Sequence, residues 1–343
     1  MASKEHIQKL IFTHNRRLQY LKEQQAAFGL ETSPAVLIEI ENIETELDQL
    51  SVDLSAFAAP WQSQHPQAPR VHIYNWGKPP AQFPKKDEAI TLDWVEPGWF
   101  VTHPDKSRRP PTPEMWEQTL WPRLRQLPAE TGADPWIRLE GQCAHSTGFA
   151  FGTIFRAKER YHIEVAQHVP DKDGIEYWTS TAQPPEQAAL PTFTLYQAEH
   201  NISNPGGEGV IIVAALNNTP LMQILEDVGT YFGQAEAFAQ IPTHQAAVTA
   251  VKGVLVLEAT AAVRQQRPLE GWEAAGLART STQLVNHFKT RIKPDRLHLF
   301  MAAPLGLAVF MGHFWQNVNK ELVFYEQTRT ERVYTPTYTI TLP

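Results

Sequence analysis

The hydrophobic pattern changes from strand-like to helical within the segment RLHLFMAAPLGLAVFMGHFW, which begins at Arg296. Leu297, Leu299 and Met301 form an alternating apolar run, which predicts a buried strand. Pro304 stands where a first helical residue is expected, with Ala303 before it as the cap. The positions that follow recur with helical spacing at Leu305, Ala308, Val309 and Gly312. The segment is therefore predicted to be a strand that turns sharply into a helix.

The turn between this strand and helix is a candidate anion site. Ala303 has no side-chain acceptor, so the first N–H groups of the helix are predicted to lack a side-chain partner. Gly306 is small enough to let an anion approach them, and a helix N-terminus attracts negative charge. A ligand phosphate is therefore expected at Ala303, Pro304, Leu305 and Gly306. The alternative is that water satisfies these donors and the small residues only allow close packing.

The segment VIIVAALNNTPLMQILEDVGTYF repeats the pattern upstream. Its apolar strand is followed by Asn217, Asn218 and Thr219, and Pro220 then opens a helix with an apolar stripe. Thr219 can cap this helix, whereas the two asparagines either contact a ligand or only shape the turn. Repeated strand-to-helix turns predict an α/β fold with mainly parallel sheets. The ligand crevice of such folds lies beyond the carboxyl ends of the strands.

A third strand-to-helix turn is predicted in the segment GQCAHSTGFAFG, after a strand from Trp136 to Glu140. His145, Ser146 and Thr147 lie at the tip of this turn. Further along, the segment YWTS presents Trp178 in a short extended piece. Its indole either stacks on a ligand base or packs in the core.

The N-terminal 54 residues have the pattern of two amphipathic helices. Apolar residues from Ile7 to Leu21 share one helical face, and Gly29 is a C-terminal stop signal. Ser33 and Pro34 begin a second helix with coiled-coil-like apolar spacing. The first helix is basic and the second acidic, which favours an antiparallel hairpin. Its core is too small for an independent domain, so an apolar edge is expected to pack on the main body or on another molecule.

Composition then divides the chain. Residues 55–88 are rich in Pro, Gln and Lys and are predicted to be a linker, in which only Val71, Ile73 and Trp76 suggest a short strand. The chain has 343 residues, which is long enough for two domains with cores of their own. The predicted organisation is a helical hairpin at 1–54, a linker at 55–88 and a main domain at 89–343.

Charge, apolar runs and cysteine content narrow the range of partners. The formal net charge of −7 argues against a general DNA-binding groove. No run of about 18 apolar residues exists, and the N-terminus has no apolar signal region, so no membrane partner is expected. The single Cys143 excludes an intrachain disulfide and is typical of a reducing compartment. A cytoplasmic protein is therefore expected.

The sequence contains none of the common catalytic motifs. The chain contains no G-x-S-x-G, H-E-x-x-H or G-x-x-x-x-G-K motif, and no G-x-G-x-x-G after a strand. The sequence therefore gives no motif that would indicate hydrolase, metalloprotease, NTPase or dehydrogenase activity. Cys143 does not have the small neighbours of a caspase-type nucleophile, and His103 has no His-Gly signature. The thiol is therefore expected to be buried. No catalytic residue, metal site or cofactor is predicted.

The order of these motifs resembles the SAVED family over about residues 89–343. The motifs are DW, PPTPEMWEQTLWPRL, IRLEGQCAHSTGFAFG, IEVAQ, YWTS, VIIVAALNNTPLMQILEDVG, LHLFMAAPLGLAVFMG and VFYE. The resemblance implies two fused CARF-like halves, each Rossmann-like. It also implies a sensor of cyclic oligonucleotide second messengers in bacterial anti-phage systems of the CBASS or type III CRISPR kind. The N-terminal hairpin is similar to small helical effector-associated segments that recruit partners.

This resemblance gives the three turns a common ligand. Helix N-termini and backbone amides can hold the phosphates of a cyclic tri- or tetranucleotide even in an acidic protein. Its bases need stacking faces and polar groups, which Trp178, His145 and Asn217 can supply. The expected ligand is a cyclic tri- or tetraadenylate. The expected ligand-binding residues are His145, Ser146, Thr147, Trp178, Asn217, Asn218, Thr219, Ala303, Pro304, Leu305 and Gly306.

The resulting hypothesis is a ligand-gated adaptor rather than an enzyme. Ligand binding is expected to drive self-association into filaments, and the hairpin is expected to recruit a separate effector of the protease, nuclease or TIR type. The alternative is a ring nuclease that cleaves its own ligand, for which His145 is the only suitable residue at the turns. A third possibility, a structural protein that binds no nucleotide, leaves the open helix N-termini without a purpose.

Overall fold

The structure is a computed structural model that describes most of the chain. The described residues are 10, 13–18, 20–22, 25, 33–57, 63–75, 89–95, 110–169, 174–186, 188–199, 207–217, 219, 221–233, 251–316, 318, 321–328 and 333–341. Contacts divide the chain into two units. The N-terminal unit comprises residues 1–62 and 168–176, and the main unit comprises residues 63–167 and 177–343.

The N-terminal unit contains helix α1 (Pro34–Phe57) and further helical residues between 10 and 25. Helix α1 begins at the predicted residue. Leu21, Ile40 and Ile43 form a small buried cluster. Exposed ion pairs join the two helical stretches, with 2.9 Å between Arg17 and Glu39, which agrees with their opposite charges. Because several residues of the first stretch lie outside the described part of the chain, the complete hairpin stays a prediction.

The first half of the main unit is a five-stranded sheet with helices. Its elements are β1 (Arg70–Tyr74), β2 (Ile90–Asp93), α2 (Pro113–Met115), a π-helical segment (Trp116–Leu120), α3 (Trp121–Thr131), β3 (Trp136–Glu140), α4 (His145–Ile154), a 3-10 turn (Ala157–Glu159), β4 (His162–Val169) and β5 (Gly174–Thr179). The strand order is β2-β1-β3-β4-β5. The first four strands in this order pair in parallel.

The second half is a six-stranded sheet with helices. Its elements are β6 (Phe193–Glu199), β7 (Glu208–Ala214), α5 (Leu221–Gly233), β8 (Val251–Ala259), α6 (Thr260–Val263), α7 (Gly271–Ile292), β9 (Arg296–Ala302), α8 (Leu305–Phe314), β10 (Glu321–Thr328) and β11 (Val333–Thr341). The strand order is β11-β10-β9-β7-β8-β6, with four parallel strands between two antiparallel edges. The predicted α/β class with mainly parallel sheets is confirmed.

The two sheets repeat one topology. The order β2-β1-β3-β4-β5 corresponds to β8-β7-β9-β10-β11, and β6 is an additional edge strand. The pairing of β3 with β4 begins at Trp136 and His162. The pairing of β9 with β10 begins at Arg296 and Glu321, which lie 160 and 159 positions later. The main unit therefore consists of two fused Rossmann-like halves, in which α4 is equivalent to α8.

The core lies where both sheets face the helices. Each strand of a covered parallel sheet must bury both faces, which is why β7 is apolar throughout apart from its first residues. Helices α4 and α8 pack with their backbones in contact. A Cβ atom on Gly152 would lie 2.1 Å from the carbonyl oxygen of Val309, and one on Gly312 would lie 2.1 Å from that of Phe149. Glycine at these crossing points lets the central helices of the two halves join.

Two boundaries differ from the sequence predictions. The predicted linker contains β1, which lies next to the central strand β3. A five-residue pattern among prolines gave only a weak local signal for this strand. Pro304 is the cap of α8 rather than its first residue, because its ψ of 147° is extended. Its carbonyl group accepts the Leu307 N–H at 3.1 Å.

Among the helices of the described residues, none has the length and apolar character that a membrane span requires.

Candidate functional site

The candidate site lies at the carboxyl ends of β3 and β9, where α4 and α8 begin. Both helices follow the central strand of their own sheet. Their first turns are adjacent, since a Cβ atom on Gly148 would lie 2.6 Å from Cδ1 of Leu305. Two equivalent helix N-termini therefore meet at one edge of the molecule, where each adds a positive end to the local field.

Each of these N-termini is capped by a side chain from the other half. The Gly306 N–H donates to Oε1 of Gln167 at 2.9 Å, and the Ser146 N–H donates to Oε1 of Glu326 at 2.5 Å. Gln167 and Glu326 occupy the sixth position of β4 and of β10. The expectation that no side chain reaches the first amides of α8 is therefore wrong at Gly306. Local sequence cannot reveal such a cap, because its partner comes from a distant strand.

The two caps differ in charge. Glu326 brings a carboxylate with 5% side-chain exposure to the N-terminus of α4, and its Oε2 lies 4.0 Å from Nδ1 of His145, which is 32% exposed. Burial raises the pKa of the Cys143 thiol, and the charge of Glu326 raises it further. Gln167 brings a neutral amide to α8. The N-terminus of α8 is therefore the more favourable of the two for an additional anion.

The α4 turn is fixed by a residue that sequence reasoning missed. Asn75 follows β1 and is buried. Its Oδ1 accepts the Ala144 N–H at 2.9 Å, and its Nδ2 donates to Oγ1 of Thr147 at 2.5 Å. Ser146 and Thr147 are also buried, and Tyr338 donates its hydroxyl hydrogen to the Ser146 carbonyl at 2.9 Å. These contacts shape the turn, and of residues 145–147 only His145 is partly exposed. A polar residue directly after an alternating apolar run was the available signal for Asn75.

Trp178 packs in the core, which was one of the two roles left open by the sequence. The residue is 4% exposed. A Cβ atom on Gly306 would lie 2.5 Å from its Cε3, and one on Gly271 would lie 2.8 Å from its Cδ1. In this structure the indole is not available for stacking on a base. Gly306 is small because it must accommodate this ring.

The turn after β7 lies at the same edge as the α8 turn. The Ala215 N–H donates to the Ala302 carbonyl at 2.7 Å, which joins the ends of the neighbouring strands β7 and β9. Asn217 is exposed and Thr219 is half-buried. Asn218 lies outside the described residues. The structure thus joins the end of β7, just before Asn217, to the end of β9, just before the 303–306 turn. It also brings the first turn of α4, which begins at His145, next to the first turn of α8.

A second polar cluster lies on the sheet face of the first half that points away from the apolar core. This Arg138 network consists of His72, Arg138, Glu140, Glu164 and Tyr177. Arg138 Nε donates to Glu164 at 2.7 Å, His72 Nε2 lies 2.7 Å from Glu140, and the Tyr177 hydroxyl donates to Glu140 at 3.0 Å. The pKa of Glu140, which burial alone would raise, is lowered by these hydrogen bonds and by the Arg138 charge.

The Arg138 network is buried rather than open to a substrate. The side chains of Arg138, Glu140 and Glu164 are each at most 6% exposed. Buried charges persist where partners satisfy them, which is the case here. The alternation of charged and apolar residues in β3 and β4 was its sequence signal. Within the described residues, no group of three or more His, Cys, Asp or Glu side chains is arranged to hold a metal ion.

Fold and site together define an α/β domain made of two Rossmann-like halves whose equivalent helix N-termini are adjacent. The family model SAVED, described as "SMODS-associated and fused to various effectors sensor domain", matches residues 120–340, which is more than half of the chain. The chain belongs to the SAVED family. A comparison with curated proteins gives no significant match.

Solved structures show the same fold at low sequence identity. The Cap4 SAVED/CARF-domain containing receptor of Acinetobacter baumannii with the cyclic trinucleotide 2′3′3′-cAAA matches 94% of this chain, with a TM-score of 0.53 and 14% identity. Its complex with 3′3′3′-cAAA gives a TM-score of 0.52 and 16% identity over 94% of this chain. The Cap4 receptor of Moraxella osloensis matches 98% of this chain and 76% of its own, with a TM-score of 0.50 and 14% identity. The chain spans 65% and 66% of the two Acinetobacter structures.

Proposed function

We propose that this protein is a sensor that binds a cyclic oligonucleotide, in the first place a cyclic trinucleotide, and acts in bacterial anti-phage defence of the CBASS type. The observation that carries the proposal is the meeting of two equivalent helix N-termini at the carboxyl edge of both sheets. Membership in the SAVED family and the cyclic trinucleotides bound by the similar Cap4 receptors support it. Helix N-termini bind phosphate without any need for a basic protein.

The proposed ligand lies over the first turn of α8. A phosphate there meets the positive end of a helix whose cap is the neutral Gln167. The carboxylate of Glu326 makes the N-terminus of α4 unfavourable for a phosphate, so the α4 side is assigned to a base. The partly exposed His145 and the exposed Asn217 are the polar side chains proposed for contact with the bases. We assign the buried residues Ser146, Thr147 and Trp178 to the packing that holds the turns in place.

We further propose that the bound ligand promotes self-association and that the N-terminal unit recruits a separate effector of the protease, nuclease or TIR type. Contact between the ligand face of one copy and the opposite face of the next is heterologous and need not close, which leads to filaments rather than dimers. Repetition of the N-terminal unit along such an assembly gives multivalent capture of a partner. Sedimentation with and without ligand tests this, and a protein that stays monomeric when saturated contradicts it.

The central experiment is a thermal-shift and calorimetric screen. The probes are 2′3′3′-cAAA, 3′3′3′-cAAA, cyclic tetraadenylate and cyclic diadenylate, with linear triadenylate as the control. A probe at about 100 times its dissociation constant adds about 2.7 kcal/mol to the stability of the protein. The ring is expected to be recovered intact after incubation. If none of the cyclic probes raises the melting temperature, the proposal fails.

A charge variant tests the location. Gly306 is unsuitable for this purpose, because any Cβ atom there meets Trp178. Leu305→Glu places a carboxylate at the first residue of α8, where a helix tolerates negative charge. This variant is expected to bind the cyclic probe at least tenfold more weakly than the wild type. Leu305→Gln, whose side chain has the shape of glutamate without its charge, is expected to retain more of the affinity. Equal affinity of the two variants would exclude a phosphate at this helix.

A further inference from the structure

Strand β6 lies at the end of the second sheet, where a further strand can be added. It is the last strand in the order β11-β10-β9-β7-β8-β6, and within the described residues it pairs with β8 alone. A strand in this position presents one row of backbone N–H and C=O groups away from its own sheet. Such a row is a template for pairing with the strand of another chain.

The strand has none of the features by which proteins usually protect a sheet edge. Its seven residues pair with β8 in one continuous register, from Phe193 with Ala259 to Glu199 with Gly253. The segment FTLYQAE contains no proline, glycine or lysine. Protected edge strands are typically short, interrupted by a bulge, or marked by proline or lysine. The sequence and pairing of β6 are therefore those of a strand that expects a neighbour on each side.

Two other edge strands of the main unit show such protection. The edge strand β2 of the first sheet has only four residues. At the far edge of the second sheet, β11 contains Pro336, and its pairing with β10 shifts register between Phe324 and Tyr325. Proline cannot donate to a ladder, and a register shift twists the edge away from a flat partner. Of these three edges, β6 is the one suited to pairing with another chain.

Exposed apolar side chains are concentrated along the same edge. Leu195 and Tyr196 are 46% and 42% exposed, and Leu190, just before the strand, is 73% exposed. Met222 is the other exposed large apolar side chain among the described residues of the main unit. A single exposed leucine is ordinary, whereas three large apolar side chains at one sheet edge indicate an interaction surface.

The strand is held in position by its own half of the molecule. The Tyr196 hydroxyl accepts a hydrogen bond from Nη2 of Arg264 at 2.6 Å, and Nε of Arg264 donates to the buried Glu258 of β8 at 2.6 Å. Pro191, before the strand, packs against α7, since a Cβ atom on Gly276 would lie 2.6 Å from its Cγ. A strand that is fixed in this way loses little conformational entropy when it pairs with a partner.

We propose that β6 is a dimer interface, at which it pairs antiparallel with β6 of a second copy of this chain. The partner must offer an edge that is equally free of protection and of repelling charge, and β6 itself meets both requirements. Antiparallel pairing of identical strands creates a two-fold axis, so the contact closes as a dimer. The two six-stranded sheets then continue into one another.

The charge pattern of the strand favours the antiparallel arrangement. Glu199 is its only charged residue and stands at its end. Antiparallel pairing places the two copies of Glu199 at opposite ends of the contact, whereas parallel pairing places them side by side, where like charges repel. Leu195 and Tyr196 stand at the middle of the strand, so both copies of each residue come to lie near the two-fold axis. This contact needs no ligand and is separate from the ligand-face contact proposed above.

Sedimentation equilibrium of the full chain without ligand tests the dimer over protein concentrations from about 1 to 100 µM. Leu195→Lys places two like charges near the axis and is expected to raise the dissociation constant of the dimer at least tenfold. Met222→Lys is the matched control, because it makes the same change of charge at an exposed apolar residue on α5 and is expected to keep the wild-type constant. A wild type that stays monomeric, or equal constants for the two variants, overturns the proposal.

Hydrogen exchange of the wild type at the two ends of this concentration range locates the contact without any variant. Dimer formation pairs the outer backbone N–H groups of β6, so exchange in peptides that cover residues 193–199 is expected to be at least about fivefold slower at the higher concentration. A dimer whose 193–199 peptides exchange equally at both concentrations uses another surface and overturns the proposal. Association that appears only after addition of 3′3′3′-cAAA would support ligand-driven assembly and overturn the ligand-independent contact at β6.

Discussion

Substitution of Gly306 by alanine tests the packing at the centre of the candidate site. The added Cβ atom would lie 2.5 Å from Cε3 and 3.1 Å from Cζ3 of Trp178. Real Cβ contacts are longer, so the indole or α8 must shift. Overpacking of this kind costs about 1–3 kcal/mol, and alanine regains about 0.5–1 kcal/mol of helix propensity. We therefore expect a net loss of about 1–2 kcal/mol in the free energy of unfolding.

The measurement is a double-mutant cycle with Trp178→Leu, followed by thermal unfolding. A net loss of about 1–2 kcal/mol corresponds to a decrease of about 2–8 °C in the melting temperature for a unit of this size. In the Trp178→Leu background the same glycine substitution is expected to be neutral or stabilising, because the ring that it meets is gone. The coupling energy of the two sites is then at least about 1 kcal/mol.

Ser146 provides the matched control for this cycle. It is the second residue of α4, as Gly306 is of α8, and it already has a Cβ atom. Its buried hydroxyl oxygen has no hydrogen-bond partner among the described residues. Ser146→Ala is therefore expected to change stability by less than about 0.5 kcal/mol or to stabilise. If Gly306→Ala is as harmless as Ser146→Ala, the indole does not require the glycine and the packing argument is refuted.

Three further predictions concern the rest of the main unit. Gly152→Ala is expected to cost more stability than Gly148→Ala, because the added Cβ meets rigid backbone in the first case and a side chain in the second, and melting temperatures give the ranking. Burial lowers the pKa of His313 to about 4 from 6.5. The free energy of unfolding is therefore expected to fall by up to about 3 kcal/mol as the pH drops from 6.5 towards 4. Denaturant titrations of His313→Asn are expected to show a weaker dependence on pH. Glu164→Gln leaves the buried Arg138 charge without its closest carboxylate and is expected to cost about 3 kcal/mol, and no change in urea midpoint would contradict this.

The strand-to-helix turns were predictable because their signals are local. Apolar alternation followed by helical spacing gave β3 with α4, β7 with α5 and β9 with α8, each within about 25 residues. The same periods gave the start of α1 at Pro34. The local signal for β1 is weaker, because its five residues lie among prolines, and the sequence pattern does not predict the described strands β6, β8 and β11. Their assignment depends on partners in the sheet rather than on local pattern.

The chemistry of the site was less predictable because its partners are distant in sequence. Gln167 caps a residue 139 positions away, and Glu326 caps one 180 positions away. No local pattern records such a pairing, and the sequence indicated open helix N-termini instead. The same holds for Gly306, which sequence reasoning assigned to an approaching anion and which the structure places against Trp178.

The sequence by itself determined the three strand-to-helix turns, the α/β class and the edge at which the turns collect, because hydrophobic periodicity and the geometry of parallel strands are sufficient for these. Only the tertiary structure decided that α4 and α8 pack through glycine, that each is capped from the opposite half, and that one cap is charged while the other is neutral. Those features arise when two halves, about 160 residues apart in the chain, are brought together. Their electrostatic consequence, a helix N-terminus on α8 that favours an anion more than that on α4, exists only in the folded chain.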